Sequence, residues 1–284
     1  MNIILTGALG FFGSRFLMKF KDITTIKIDI IVRDSRIIQN NSYYNSHKIF
    51  SSNDLGKINF LEYNYIVHSA TNYSNDSFHD NVVFPKEIIE KIKGSRCVFI
   101  NMDTFFNHEL NKSNYLKPYV DNKKMFLNYC ENLCEKEEIF FMNLKIFHMY
   151  GPNDNPRKFI PTMINKIKNN ETIYLTGGDQ KRDFIFIDDV LDFFSFIFSW
   201  EDIHHNYYHN FDIGTSKLIS IFESVNIIIN IFESRSAVMR NVIKQYDQGL
   251  PDLKANFKFL KNSKIMWRPK TSFCNGILKI KEYK

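Results

Sequence analysis

Cysteine is scarce, with four in 284 residues at positions 97, 130, 134 and 274. A secreted scaffold held by disulfides needs more at this length, so reduced thiols in a cytoplasmic protein are expected. Cys130 and Cys134 share a helical face, but two soft ligands without a nearby histidine do not make a zinc site, and no metal is expected. Long hydrophobic runs are missing too. The longest beyond the N-terminus, 190–200, is about eleven residues and contains Asp192, too short to cross a bilayer, so no membrane partner is expected. The apolar start, 1–12, lacks a basic leader and a cleavage site and does not read as a signal peptide. Nor does one sign of charge dominate. Lys and Arg number 37 against 31 Asp and Glu, a net charge of +6 without an arginine-rich run or basic-aromatic patch. Nucleic acid is therefore not an expected partner, whereas a phosphorylated small substrate suits the mild basicity.

What is present is a globular composition, 44% hydrophobic and 24% charged. Its 28 Phe and 14 Tyr are read as packing rather than as a cofactor stack. Short β-rich runs at 2–6, 26–32, 48–51, 65–70, 97–101 and 139–144 alternate with helical spacing at 10–20, 81–93 and 119–134. Such alternation predicts βαβ units and a mostly parallel sheet covered on both faces, an α/β doubly wound fold. Beyond Gly151-Pro152 the pattern changes. Helices are predicted over 159–169, 189–200 and 217–232, a strand over 172–175 and a turn at Gly177-Gly178, with irregular chain after 249–251. The expected division is a dinucleotide-binding Rossmann-type domain, 1–150 plus about 177–212, and a smaller mixed α/β substrate lobe, about 151–176 plus 213–284.

Three motifs carry chemistry. Gly7-Ala8-Leu9-Gly10-Phe11-Phe12-Gly13 is GxxGxxG set directly between a strand and a helix. Glycine permits the sharp turn, and the helix N-terminus offers amides to a pyrophosphate, which implies a bound dinucleotide. The second strand ends in Arg33-Asp34-Ser35-Arg36, and Arg33 lies 26 positions after Gly7, where the adenosine ribose is read. Two arginines there favour the phosphate of NADP over NAD, with Asp34 as the opposing feature. Tyr119-Val120-Asp121-Asn122-Lys123 is YxxxK at a helix start, which puts phenol and ammonium on one face. A free tyrosine titrates near ~10, and the nearby Lys cation together with a cofactor's positive nicotinamide is expected to lower that value toward the working range. Thr104, 15 positions upstream of Tyr119, ends the fifth strand, where a hydroxyl can bind the same carbonyl.

Together these pieces resemble the extended short-chain dehydrogenase/reductase family that acts on nucleotide sugars. Gly7, Gly10 and Gly13 match its fingerprint, and Thr104, Tyr119 and Lys123 its catalytic triad. Further matches are Phe147-His148-Met149-Tyr150-Gly151-Pro152, Lys158-Phe159-Ile160-Pro161, Arg182-Asp183-Phe184-Ile185-Phe186-Ile187-Asp188-Asp189-Val190, Phe211-Asp212-Ile213-Gly214-Thr215 and Trp267-Arg268-Pro269. The resemblance implies cofactor contacts at Gly7, Gly10, Phe11, Phe12, Gly13, Arg33, Arg36, Ser69, Ala70, Thr71, Tyr119 and Lys123. It implies substrate contacts at Thr71, Tyr73, Thr104, Phe105, Lys158, Phe159 and Arg182.

Within the family, dehydratases carry acidic residues just after the catalytic threonine, where this chain has Phe105-Phe106. Epimerase/reductases use a cysteine and a histidine near the sugar; no cysteine lies beside Thr104, and His108 sits in a polar loop. The segment from Thr104 to Tyr119 lacks the longer insert of typical 4-epimerases and is most similar to C4-reductases of CDP-4-keto-3,6-dideoxyhexoses. The resemblance thus implies an NADPH-dependent 4-ketoreductase, NADH being the lesser choice, acting on a nucleotide-diphosphate sugar for bacterial surface glycans. It also implies a homodimer. CDP, GDP or dTDP and hexose or heptose all stay open: Lys145 stands where the family usually has Arg, and the late Arg that often holds the diphosphate is missing around Gly249-Leu250-Pro251-Asp252. A 4-epimerase with permanently bound NAD and a non-catalytic dinucleotide scaffold are the competing readings.

Overall fold

The computed structural model describes residues 1–34, 44–74, 77–107, 116–242, 250–257 and 267–283. Arg36, His108 and Gly249 lie outside them. In chain order the elements begin β1 (Asn2–Thr6), α1 (Phe11–Phe20), β2 (Lys27–Val32), β3 (Ile49–Ser51) and β4 (Tyr65–His68). They continue α2 (Phe84–Ile92), β5 (Val98–Thr104), α3 (Lys117–Glu135), β6 (Phe140–Ile146), β7 (His148–Tyr150), α4 (Phe159–Lys168), β8 (Ile173–Tyr174) and β9 (Lys181–Arg182). The last are β10 (Phe184–Phe186), α5 (Ile187–Ile197), β11 (Tyr208–Ile213), β12 (Ile219–Ser220), α6 (Ile221–Phe232), β13 (Val238–Met239) and α7 (Phe273–Glu282).

The run Ile3-Ile4-Leu5 in β1 is wholly buried, as a strand covered on both faces must be. β1 pairs in parallel with β2 on one side and β4 on the other, and the parallel ladder continues to β3 and β5. The seven-stranded sheet runs β11-β6-β5-β4-β1-β2-β3, a Rossmann-type order. Strand order reverses between β1 and β4, and the crevice at the carboxyl ends of such a pair is where α/β sheets bind ligands.

The chain divides into two compact units, one of 1–107, 116–145 and 197–211, the other of 146–196 and 212–284 among the described residues. In the first, Phe rings fill both faces of the sheet. Phe99, Phe126 and Phe141 meet at centroid distances of 5.9–6.1 Å. On α1 the stripe Phe12, Phe16 and Phe20 packs ring on ring, with Phe198 5.4 Å from Phe20. Each such pair contributes about 0.5–1.5 kcal/mol beyond area burial. Cys97, Cys130 and Cys134 are buried in the same unit, and burial pushes the Cys97 and Cys134 thiols up to about 12.

In the second unit two acids of the Arg182 motif act as internal anchors. The fully buried Asp183 accepts from the amides of Thr215, Ser216 and Ala255 at 2.7, 2.9 and 2.9 Å, and from the Thr215 hydroxyl. Asp189 accepts from the Lys270 and Thr271 amides at 3.1 and 3.0 Å. The stretch expected to be irregular after 251 contains α7 instead. Ser272 caps that helix through the Asn275 amide, and Lys279 and Lys281 complement its C-terminal dipole. Its interior Gly276 hides the helix from propensity, yet a Cβ there would collide with the Tyr150 hydroxyl. Packing overrides propensity at that position. No helix among the described residues is long and apolar enough to cross a membrane.

A Cβ on Gly13 would strike the Gly7 carbonyl oxygen, whereas one on Gly56 meets nothing within 4 Å. Gly13→Ala should therefore cost about 1–3 kcal/mol of stability. Gly56→Ala should be neutral or stabilise by about 0.4–1 kcal/mol. Chemical denaturation of the two variants checks the opposite signs.

Candidate active site

The carboxyl end of β1 turns at Gly7, whose φ of +73° is left-handed. A side chain there would meet the Ala70 nitrogen at 2.6 Å and Ser69 Oγ at 2.8 Å, so the ends of β1 and β4 approach as closely as backbone allows. Ser69 Oγ donates to the Thr6 carbonyl at 2.7 Å and the Ala70 amide to Thr6 Oγ1 at 3.2 Å, which fixes both residues beside the turn. Gly13 brings the first turn of α1 onto Gly7. For Gly10 the Gly7 carbonyl oxygen, at 3.3 Å, is the near neighbour. The three glycines thus divide the labour of a dinucleotide turn: a sharp bend, an open approach and helix–strand contact. Gly10 caps α1 without a side-chain hydrogen bond, so the amides of Phe11, Phe12 and Gly13 stand at an N-terminus that no side chain of its cap covers. That cradle, too narrow for any Cβ at Gly7 or Gly13, fits a pyrophosphate.

Arg33 follows β2 as expected, but its guanidinium is 79% exposed and pairs with Asp80 at 2.9 Å. Asp80 also accepts from Asn72 Nδ2 at 2.8 Å. On the surface such a pair is worth about 0–1 kcal/mol, so a phosphate can displace it.

β5 and α3 bring the YxxxK pair and Thr104 into one layer. Tyr119 and Lys123 lie on the buried face of α3, continued by Phe126, Leu127 and Cys130, and are 4% and 1% exposed. Lys123 Nζ donates to the Met102 carbonyl in β5 at 3.0 Å. Two residues on, Thr104 Oγ1 accepts from the Phe106 amide at 3.3 Å, leaving its own O–H to donate to a ligand. Phe105 is buried and its ring stands 4.2 Å from that of Phe106. The Tyr119 ring lies 4.6 Å from that of Tyr73. Asn81 is 1% exposed, and it holds this loop by accepting from Thr71 Oγ1 and the Asn72 amide at 3.2 and 3.0 Å.

The electrostatics correct the part of one expectation that rested on Lys123. With the lysine alone beside it, the Tyr119 phenol is not lowered toward neutrality; burial, Tyr73 and the Asp103 carboxylate push it well above the ordinary tyrosine value. Burial lowers Lys123, opposed by Asp103. His68, fully buried at the end of β4, shares a 2.9 Å hydrogen bond with Thr6 Oγ1. Burial and then Lys123 hold it far below its usual range, so it is neutral.

In the second unit, Lys158 caps α4 and pairs with the buried Asp154 at 3.0 Å. Phe159 stacks on Phe184, 6.3 Å between centroids. Arg182 is 6% exposed; it donates to the Lys181 carbonyl at 2.7 Å and lies 3.6 Å from Asp252. Among the described residues Asp252 is one carboxylate beside Arg182, in the stretch where the sequence reading found a missing arginine. Burial first, and then Arg182 and Lys158, hold His148 down to about 3.

Sequence reasoning passed over Asp103 and His68. Asp103 directly precedes Thr104, and the signal was there: an acid in a strand otherwise composed for burial.

The NAD dependent epimerase/dehydratase family model matches residues 3–214. CDP-abequose synthase of Salmonella muenchen is 28% identical over 291 residues, covering 98% of this chain and 96% of that protein. CDP-abequose synthase of Salmonella typhimurium is also 28% identical, covering 97% and 95%. The solved structure of UDP-glucuronic acid 4-epimerase from Bacillus cereus in complex with UDP-glucuronic acid and NAD superposes with a TM-score of 0.80 at 18% identity, over 100% of both chains. At that identity the likeness speaks for the fold. The family match, by contrast, runs from β1 through the last strand of the sheet and includes the glycine turn, Tyr119 and Lys123, so the chain belongs to the NAD dependent epimerase/dehydratase family.

Proposed function

We propose that this protein is an enzyme that reduces the C4 ketone of a nucleotide-activated 4-keto deoxy or dideoxy sugar with NADPH. The observation that carries this reading is the Tyr119 phenol, buried, packed against the Tyr73 ring, and held protonated on the same helix face as Lys123. Two further features support it. Relatives named CDP-abequose synthase span almost the whole chain, which makes a CDP-sugar the first candidate and GDP or dTDP sugars the next. Thr104 is followed by a packed pair of phenylalanines, which offer no proton transfer to an elimination.

The first unit is assigned the dinucleotide, with the Gly7–Gly13 turn on the pyrophosphate, Ser69, Ala70 and Thr71 beside it, and Lys123 on the nicotinamide ribose. When bound, the nicotinamide supplies a hydride to the carbonyl carbon. As that carbon–oxygen π pair moves onto oxygen, Thr104 holds the oxygen by a hydrogen bond and Tyr119 Oη gives it a proton, completing the alcohol. Such general acid catalysis contributes about 10²–10⁴-fold. Tyr73 and Phe105 are assigned to the sugar, and the second unit's Lys158, Phe159 and Arg182 to the nucleotide diphosphate.

Tyr119→Phe should keep cofactor affinity and lower turnover by about 10²–10⁴-fold on 4-keto sugar nucleotides. Nicotinamide oxidation measured over a panel of such substrates tests this; a Phe variant within a few-fold of the parent overturns the assignment. A protein that purifies with NAD and interconverts sugars without net oxidation is an epimerase instead.

Arg33→Ala should raise KM for NADPH more than for NADH, because a guanidinium at that position binds a phosphate by two charge-assisted hydrogen bonds. Steady-state kinetics with both cofactors decide the point, equal effects meaning that Arg33 serves Asp80 alone.

Arg182→Ala should weaken nucleoside-diphosphate binding by about 1.5–3 kcal/mol, the scale of a hydrogen bond to a charged group. Calorimetry with CDP gives the affinity, and a melting curve gives the control. Unfolding without loss of CDP affinity in the folded fraction would show a structural arginine.

A further inference from the structure

The ion pair of Arg33 with Asp80 is built unevenly. Asp80 lies in the single π-helical turn His79–Val83 that leads into α2, and its Oδ2 accepts twice, from Arg33 Nη2 at 2.9 Å and from Asn72 Nδ2 at 2.8 Å. Asn72 is clamped. Its amide donates to Asn81 Oδ1 at 3.0 Å, its carbonyl accepts from Asn81 Nδ2 at 2.7 Å, and its own Oδ1 accepts from the Ser74 amide at 2.9 Å. Asn81 is 1% exposed, so the clamp is anchored in the interior. The carboxylate is therefore held in place with or without Arg33. The guanidinium is not: it is 79% exposed against 29% for Asp80, and among the described residues Asp80 is the one polar group that holds it. Strand order shows where this pair lies. β1 stands between β2 and β4 in the sheet, Arg33 is one residue past β2, and Asp80 is tied to Asn72 in the chain that leaves β4. The pair thus spans the carboxyl end of β1, where the glycine turn stands.

We propose that Asp80 is a specificity-determining residue for the dinucleotide: a resident anion on Arg33 that a 2′-phosphate must displace, so that it lowers affinity for NADP relative to NAD. A guanidinium serves a phosphate best when both arms of its fork are free, and here one arm is already engaged. NAD presents a hydroxyl at the 2′ position and leaves the pair undisturbed. NADP brings a group of about two negative charges. Either Arg33 turns to that phosphate and gives up Asp80, or the phosphate comes to lie beside a fixed carboxylate that repels it. Both outcomes cost affinity. The other titratable neighbour of Asp80 is His79, whose Nδ1 is 3.8 Å from Oδ1; at 71% exposure it is screened by solvent. This inference rests on the reading of Arg33 as the residue that binds the ribose phosphate, but its test needs neither sugar substrate nor turnover.

The experiment is calorimetry of NADP⁺ and NAD⁺ binding to the full-length protein. Asp80→Asn removes the charge and keeps an oxygen for Asn72 Nδ2. It should tighten NADP⁺ binding by about three- to tenfold, the scale of a surface ion pair together with the loss of a like charge, and leave NAD⁺ within about twofold. Asp80→Ser, a second neutral variant, should act in the same direction. In an Arg33→Ala background the gain from Asp80→Asn should fall below about twofold, because the contested guanidinium is gone. A folded neutral variant whose NADP⁺ affinity is unchanged or weaker overturns the proposal, and so does a gain that persists undiminished without Arg33. If neither neutral variant folds, as judged by melting curves, Asp80 is an anchor of the Asn72 loop and the proposal is equally overturned. The reading of Arg33 fails on a different result, equal weakening of NADP⁺ and NAD⁺ in Arg33→Ala. A selective loss of NADP⁺ in Arg33→Ala beside no effect of Asp80→Asn removes this inference alone.

Discussion

The carboxyl edge of the sheet depends on how closely backbone meets backbone at Gly7. No Cβ fits between that residue and Ser69–Ala70, nor between Gly13 and the Gly7 carbonyl. Because β1, β4 and α1 are thereby drawn to one point, Thr6 can bond His68 and Ala70 together, and the α1 N-terminus comes to rest at the place where strand order reverses. The binding site is in this sense a by-product of steric permission. Residues chosen for having no side chain determine where the side chains that matter will stand.

Much of this was legible beforehand for a physical reason. Alternating short β runs and helical stripes are set by burial periodicity, and the parallel sheet, α1 and α3 came out within a few residues of the reading. The pairing of Tyr119 with Lys123 followed from helix geometry alone, since residues four apart share a face. What stayed hidden depended on partners distant in sequence. Helix α7 contains a glycine that propensity penalises and that Tyr150 requires. Arg33 was read by its position, but its contact with Asp80, 47 residues away, is tertiary. A lowered Tyr119 was expected from its helical neighbour and a bound cofactor, whereas in the protein alone burial, Tyr73 and a carboxylate on another element raise it.

The acids of the chain show the same division. Asp183 and Asp189 belong to a motif that the family resemblance marks as functional, yet each spends its oxygens mainly on backbone amides of remote loops, with one threonine hydroxyl beside them. Asp103, in no recognised motif, has its oxygens satisfied by the amide side chains of Asn107 and Asn143. A carboxylate's role is thus read from what satisfies it. Backbone donors tie chain segments together, while side-chain donors fix a carboxylate within the layer that carries it.

The cysteines carry a practical consequence. Cys97, Cys130 and Cys134 are sealed inside the first unit with their thiolates suppressed, whereas Cys274 stands on the surface at the start of α7. Because the thiolate is the nucleophile, a thiol-directed dye or spin label added to the native protein attaches at one address without any engineering. That address adjoins Phe273, whose carbonyl accepts from Tyr150 and whose ring packs on Phe184. A reporter placed there senses rearrangement of the aromatic cluster beside Arg182, with every residue of the glycine turn and the YxxxK pair left in its native form.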